Sequence, residues 1–207
     1  MNTLLNAEHI LSLDKRLALV LEHVPIVLPK TNDDVYFVLL KSIVEQQLSV
    51  KSAAAIWMRF LALYEANPSS DLILNTHSDA LRSVGLSYQK AQYLKNIALF
   101  SQENDLSKSF LEELDDDQAI AHLTQIKGVG KWTAEMILMF ALGRANVFPV
   151  DDLVIRNAMI RLYGLSSEKK ALIIDMNSIA ELWTPFRSYA SYALWDWYEG
   201  KHPPHIN

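Results

Sequence analysis

Two stretches of this chain carry side chains whose types and spacing could do chemistry. The first is Leu123-Thr-Gln-Ile-Lys-Gly-Val-Gly-Lys-Trp-Thr-Ala-Glu135. Its pattern predicts a helix ending near Ile126, a tight turn at Gly128-Val129-Gly130 and a second helix starting at Lys131. Two glycines let a backbone approach a ligand closely, and the first amides of a new helix have no intrahelical acceptor. That end of a helix favours anions, and Lys127 and Lys131 add positive charge. Together these features suit a phosphate gripped without regard to base sequence. A plain helix-to-helix turn with a C-cap glycine is the competing reading. The apolar residues of Ile-Lys-Gly-Val-Gly-Lys-Trp-Thr-Ala, placed to fold two helices into a hairpin, favour the clamp.

The second stretch is Phe148-Pro-Val-Asp-Asp-Leu-Val-Ile-Arg156. Pro149 breaks the preceding element, and the adjacent carboxylates Asp151 and Asp152 open a new helix. Either can be an ordinary N-cap. The functional alternative is a carboxylate held close to whatever the glycine turn grips. The spacing allows it: one helix of about a dozen residues runs out from Trp132 and a short connector returns to the Asp pair, so the two helix starts can face one ligand.

The elements that would position these groups are nearly all helices. Apolar residues recur at three and four from Val35 to Ile43, and again from Ala53 to Leu61. The same periodicity predicts helices over 33–46 (capped by Asn32 or Asp33), 49–64, 72–84, 88–100, 109–114, 117–126, 131–142, 152–163, 176–183 and 185–198. Gly85 ends the third of them, and 147–150 is a short extended connector. No segment is rich in strand signals, so the fold class is all-α. One domain spanning 1–207 is expected, with a middle lobe over about 35–142 that holds the hairpin at 123–142. The other lobe pairs an N-terminal helix with 143–207.

Composition narrows the chemistry. The 207-residue chain has no cysteine, which rules out disulfides, thiolate zinc, iron–sulfur clusters and a cysteine nucleophile. Its six histidines lack metal-ligand spacing, and His202 and His205 read as solvent-exposed. The formal charge of −5 is unhelpful for a nucleic-acid binder. A site needs only a local field, however, and the acidic run Glu112, Glu113, Asp115, Asp116, Asp117 reads as solvated surface. No apolar run reaches the roughly 20 residues of a membrane span. Charges interrupt the first thirty residues, so no secretory signal is read there and an intracellular protein is expected.

The segment from Lys127 to Arg156 resembles the helix-hairpin-helix (HhH-GPD) DNA glycosylases, and more closely their 3-methyladenine DNA glycosylase II (AlkA-like) branch. Ile43-Val-Glu-Gln-Gln-Leu-Ser-Val-Lys-Ser-Ala-Ala54 matches the branch's early helix–loop–helix. Gly85-Leu-Ser-Tyr-Gln-Lys-Ala-Gln-Tyr-Leu94 matches its middle segment, and Trp183-Thr-Pro-Phe-Arg-Ser-Tyr-Ala190 with Trp195 its C-terminal helix. Four motifs in the right order cover about Val35 to Tyr198.

The resemblance implies a two-lobed helical glycosylase fold and hydrolysis of the N-glycosidic bond of alkylated purines of the 3-methyladenine and 7-methylguanine type. The implied partner is double-stranded DNA bearing damaged bases, with the protein as a monomer. The branch's catalytic Asp falls on Asp152, with Asp151 as its capping neighbour; alignment to more distant glycosylases would choose Asp151. Trp132 and Trp195 fall on aromatic walls of the base pocket, with Met136 where the best-known bacterial form has Tyr. Gln47, within Gln46-Gln47-Leu48, falls on the residue that wedges into the gap left by a flipped base. Gln46, Ser49, Lys127, Gly128, Val129, Gly130, Lys131 and Thr133 complete the implied DNA contacts. No cofactor is implied beyond a monovalent cation, Na+ or K+, on the backbone carbonyls of Thr124, Ile126 and Val129. Bifunctional relatives place a lysine where this chain has Trp132, so no strand-nicking lyase is implied. A non-catalytic DNA clamp and a glycosylase for deaminated, etheno or oxidised bases are the competing readings. Trp57, Trp183, Trp197, Phe140, Phe186 and Tyr189 read as core.

Overall fold

The computed structural model describes residues 3–28 and 30–200; His202 and His205 lie outside them. Helices are the only regular elements among the described residues, and they fall into two compact units.

One unit is formed by residues up to Lys30 together with those from Gly143 onward. Its first segment is two helices where the sequence suggested one, α1 (Thr3–Leu11) and α2 (Lys15–Leu21). Asp14 makes the break: its carboxylate accepts the amides of Arg16 and Leu17, at 2.9 and 3.2 Å, and so restarts the helix.

The other unit, Thr31–Leu142, carries eight helices. They are α3 (Val35–Glu45), α4 (Val50–Ala62), α5 (Ser70–Asn75), α6 (Ser78–Ser83), α7 (Tyr88–Glu103), α8 (Lys108–Glu113), α9 (Asp116–Leu123) and α10 (Lys131–Phe140). The cap of α3 is Asp34, not Asn32 or Asp33, because Asn32 accepts the amide of Asp34 while Asp33 pairs with Lys108. The single helix expected over 72–84 is two. Thr76 turns extended, and the ring of His77 accepts the amide of Asp79 to start α6. Helix α7 packs against α3, α5 and α6. The core holds Leu39, Ile43, Phe60, Leu94 and Ile97, with Trp57 stacked on Phe60 at a 5.4 Å ring separation. The acidic run is mostly exposed, and Asp115 closes a capping box with Gln118 at the start of α9.

Returning to the first unit, α11 (Leu153–Tyr163), α12 (Lys169–Ala180), a 3-10 turn (Glu181–Trp183) and α13 (Arg187–Glu199) complete the chain. Helix α12 begins seven residues before the expected Met176, because periodicity does not locate a helix start that lacks a side-chain cap. Helix α13 packs on α11 and α2 around Leu17, Ile155, Met159, Leu194 and Trp197.

Candidate nucleic-acid interface and carboxylate site

The hairpin is built from tight turns. Helix α9 stops at Leu123 with Thr124 as its C-cap; Ile126 N–H then donates to the Leu123 carbonyl and Val129 N–H to that of Ile126, at 3.2 and 2.9 Å. Its two glycines have separate reasons. Gly128 has φ +110°, and a Cβ there would lie 2.3 Å from the Tyr93 ring beneath it. Gly130 has φ −91°, and a Cβ there would meet nothing within 4 Å. Gly130 is therefore not demanded by backbone shape. As the cap of α10 it offers no side chain to that helix's first amides. Gly128→Ala should cost about 1–3 kcal/mol through strain and overpacking, while Gly130→Ala should cost at most about 1 kcal/mol, the preference for glycine over alanine at an N-cap. Urea denaturation of the two variants checks the contrast.

Around this turn Lys127 is exposed while Ile126 and Val129 are buried, so the last two can offer a ligand only backbone atoms. Lys131 is not a free cation: its Nζ lies 3.5 Å from Oε1 of Glu135, one turn on and nearly buried. Thr133 is 2% exposed, and its hydroxyl accepts the Gln46 amide at 3.0 Å. The two side chains thus brace α10 against α3. The Ile126 carbonyl keeps a second lone pair after accepting Val129 N–H, so the Thr124, Ile126 and Val129 oxygens remain chemically suited to a monovalent cation. Trp132 is half-buried on the first turn of α10, and Met136 one turn later is buried.

The α3–α4 loop presents Gln47. Gln46 ends α3 with an extended backbone, and Gln47 follows at φ +56°, exposed, in the left-handed region that non-glycine residues rarely occupy. Ser49, also exposed, caps α4 through the Ser52 amide. From α7, Lys90 Nζ donates to the carbonyls of Val44 and Gln46, at 2.8 and 2.6 Å, and Asn96 Nδ2 to that of Lys127 at 2.8 Å. None of Lys90, Tyr93 and Asn96 was singled out in the sequence. The only signal was their recurrence at a spacing of three along one helix, with Lys90 and Tyr93 inside a matched motif and Asn96 just beyond it.

In the other unit, the two carboxylates separate cleanly. Asp152 is the N-cap of α11 and 7% exposed. Its Oδ1 accepts the amides of Val154 and Ile155, both at 2.9 Å, and the Trp195 indole N–H at 3.0 Å. Asp151 is exposed and lies 3.7 Å from Arg156. The expectation that Asp151 does the capping is thus corrected: its neighbour has the extended φ and ψ a cap requires. The connector is set by Ser188, wholly buried on α13, whose hydroxyl donates to the Arg144 carbonyl and accepts Val147 N–H, at 2.6 and 2.9 Å. Half-buried Trp195 ends a row of rings from Phe186 through Tyr189 and Tyr192, with centroids 5.4, 6.3 and 6.1 Å apart. Its indole therefore orients an acid as well as offering a face. Trp57, Trp183, Trp197, Phe186 and Tyr189 are buried; Phe140 is half-buried.

This arrangement can do two things. An open helix start beyond a glycine turn can bind phosphate through amides. A carboxylate fixed by three N–H donors can stabilise positive charge at a set point.

Comparison with known proteins bears on both. The HhH-GPD superfamily of base excision DNA repair proteins matches residues 40–185. DNA-3-methyladenine glycosylase 1 of Schizosaccharomyces pombe is 36% identical over 163 residues, 77% of this chain and 71% of that protein. A putative DNA-3-methyladenine glycosylase of Bacillus subtilis, YfjP, is 33% identical over 168 residues; the match covers 78% of this chain but 58% of the relative. The Schizosaccharomyces pombe 3-methyladenine DNA glycosylase Mag1, solved with abasic DNA, superposes with a TM-score of 0.83 at 32% identity, covering 96% of this chain and 100% of that one. Motif, fold and relatives agree, and the chain belongs to the HhH-GPD superfamily of base excision DNA repair proteins.

Proposed function

We propose that this protein is a monofunctional DNA glycosylase that extrudes alkylated purines of the 3-methyladenine and 7-methylguanine type from duplex DNA and hydrolyses their N-glycosidic bond. The observation that carries the reading is Asp152, whose carboxylate is held by two helix amides and an indole N–H in a chain similar over 96% of its length to a glycosylase solved on abasic DNA.

The chemistry follows from the lesion. A base inside a duplex is out of reach, and flipping it costs a few kcal/mol. Gln47 fills the gap. An alkylated purine is cationic and leaves readily, and an aromatic face attracts such a base by about 0.5–2 kcal/mol; Trp132 on the hairpin helix and Trp195 beside Asp152 each offer one. As the bond to the base breaks, C1′ of the sugar gains oxocarbenium character. Asp152 stabilises that charge and orients the water whose oxygen bonds C1′, taking its proton. Trp132 stands where a lysine would form a Schiff base, so the strand is left intact.

The hairpin amides of Gly128, Gly130 and Lys131 hold a backbone phosphate, with Lys127 adding charge. A Na+ or K+ on the carbonyls of Thr124, Ile126 and Val129 would add positive charge beside that phosphate. Among the described residues no helix is long and apolar enough to cross a membrane; the compartment we propose is that of the cell's DNA, where the protein acts as a monomer.

The test is release of free base from single-lesion duplexes carrying 3-methyladenine, 7-methylguanine, hypoxanthine, ethenoadenine or an oxidised purine. Release of the methylated purines without strand breaks is expected. Silence on all of them would sink the enzyme reading, and strand nicking without added base would sink the monofunctional one. Gly130→Asp, which places a carboxylate at the open helix start, should weaken duplex binding about tenfold or more at moderate salt. Unchanged affinity would remove the clamp. Trp195→Phe keeps a ring and loses the indole donor; excision should slow about tenfold, the worth of one hydrogen bond to a charged group, as measured by single-turnover kinetics.

A further inference from the structure

Helix α7 holds none of the residues assigned to DNA, yet three of its side chains hold the two loops that do. Lys90 Nζ donates to the Val44 and Gln46 carbonyls at the end of α3. One turn on, the Tyr93 ring lies beneath Gly128, and a turn further Asn96 donates to the Lys127 carbonyl. We propose that Lys90 is a positioning residue for Gln47: its ammonium ties down the last carbonyls of α3 and so projects Gln47 as a wedge, in register with the hairpin held by the same helix. The inference rests on reading Gln47 as the residue that enters the gap left by the flipped base.

The argument begins with the helix end. The last carbonyls of a helix have no intrahelical donors, and a glycine in the left-handed region commonly completes the cap. No glycine stands here. Gln47 takes φ +56° instead, a strained conformation for a side-chain-bearing residue that persists only where its surroundings over-determine it. Gln46 supplies that determination: its carbonyl is held by Lys90 and its side chain by Thr133. Gln47 is the first residue beyond both anchors and is exposed.

A single ammonium serves both carbonyls, and charge-assisted bonds are stronger than neutral ones. Burial also pulls the Lys90 pKa below the ordinary lysine value, so the charge is kept there at a cost. Without it the end of α3 is free to fray, and the wedge must be ordered out of binding energy.

The test is a cycle of four proteins: wild type, Lys90→Met, Gln47→Ala and the double variant. Two readouts are taken. One is single-turnover excision from an alkylated duplex; the other is fluorescence of 2-aminopurine beside a stable abasic analogue, which reports wedge entry into the stack. Lys90→Met should slow excision about tenfold and weaken the fluorescence response, while affinity for undamaged duplex, carried by phosphate contacts, stays within about twofold. The double variant should be no slower than Gln47→Ala, because the lysine acts through that residue. Lys90→Arg, which keeps the charge and its donors, should recover most of the rate.

Losses that multiply in the double variant would overturn the proposal, as would a normal fluorescence response in Lys90→Met. If Gln47→Ala excises at the wild-type rate, the wedge reading itself falls and the lysine's role with it. If Gln47→Ala is slow and Lys90→Met is not, only the lysine's role falls. Should Lys90→Met fail to fold, Lys90→Gln enters the same cycle and the same outcomes decide.

Discussion

Asp152→Asn is expected to slow excision of an alkylated purine by about a hundredfold to ten-thousandfold while leaving the fold intact. The separation is physical. Asparagine is as good an N-cap as aspartate, so its Oδ1 can still accept the amides of Val154 and Ile155 and the Trp195 indole. What disappears is the negative charge facing a developing oxocarbenium ion, and the base for the attacking water. Single-turnover rates and a thermal melt on the same preparation read the two effects apart. A variant with the wild-type rate would end the catalytic assignment. Asp151→Asn serves as the control: its carboxylate is exposed and only 3.7 Å from a guanidinium, a pair worth under about 1 kcal/mol. A collapse of activity there, with Asp152→Asn unaffected, would move the role one residue back.

The largest effect on stability is expected at Asp14→Ala. Asp14 is 9% exposed and repeats the chemistry of Asp152 in a purely structural setting. Its Oδ1 takes the Arg16 and Leu17 amides, and its Oδ2 the Tyr163 hydroxyl at 2.6 Å and the Trp183 indole at 2.9 Å. Burial, then the Asp14 carboxylate, raise the Tyr163 pKa, so the phenol remains a neutral donor. Alanine would strand the Trp183 indole N–H in the core at about 1–3 kcal/mol, leave the partly buried Tyr163 hydroxyl without this acceptor, and remove a cap worth about 1 kcal/mol. A loss of about 3 kcal/mol or more is expected, which lowers Tm by roughly 6–12 °C at this chain length. Calorimetry measures it; a Tm within a degree or two of wild type would show that Asp14 does not anchor Tyr163 and Trp183.

Asp14 and Asp152 also show what a sequence can and cannot disclose. Each opens a helix, each caps it with Oδ1, and each receives an indole from far along the chain, with sequence separations of 169 and 43 residues. One joins a closed knot of core donors and the other belongs to the proposed site. Their capping geometry does not separate the two roles. Asp152 was singled out through the matched motif around it, and Asp14 was one of the charges interrupting the first thirty residues, with no role read for it.

Local pattern determined the elements. Apolar residues at three and four specified α3, α4, α7 and α10; Gly128-Val129-Gly130 specified the turn; Pro149 and the Asp pair specified the start of α11. These are properties of neighbours within a turn or two, where side-chain period and backbone preference act directly. Tertiary structure decided which of two adjacent aspartates caps and which faces solvent, that Gln46 and Thr133 bond each other, and that Lys90 reaches the end of α3. Those choices depend on partners 43 to 87 residues away. A donor's acceptor is set by where helices pack, and the period of a helix records its buried face but not the identity of the group it meets there.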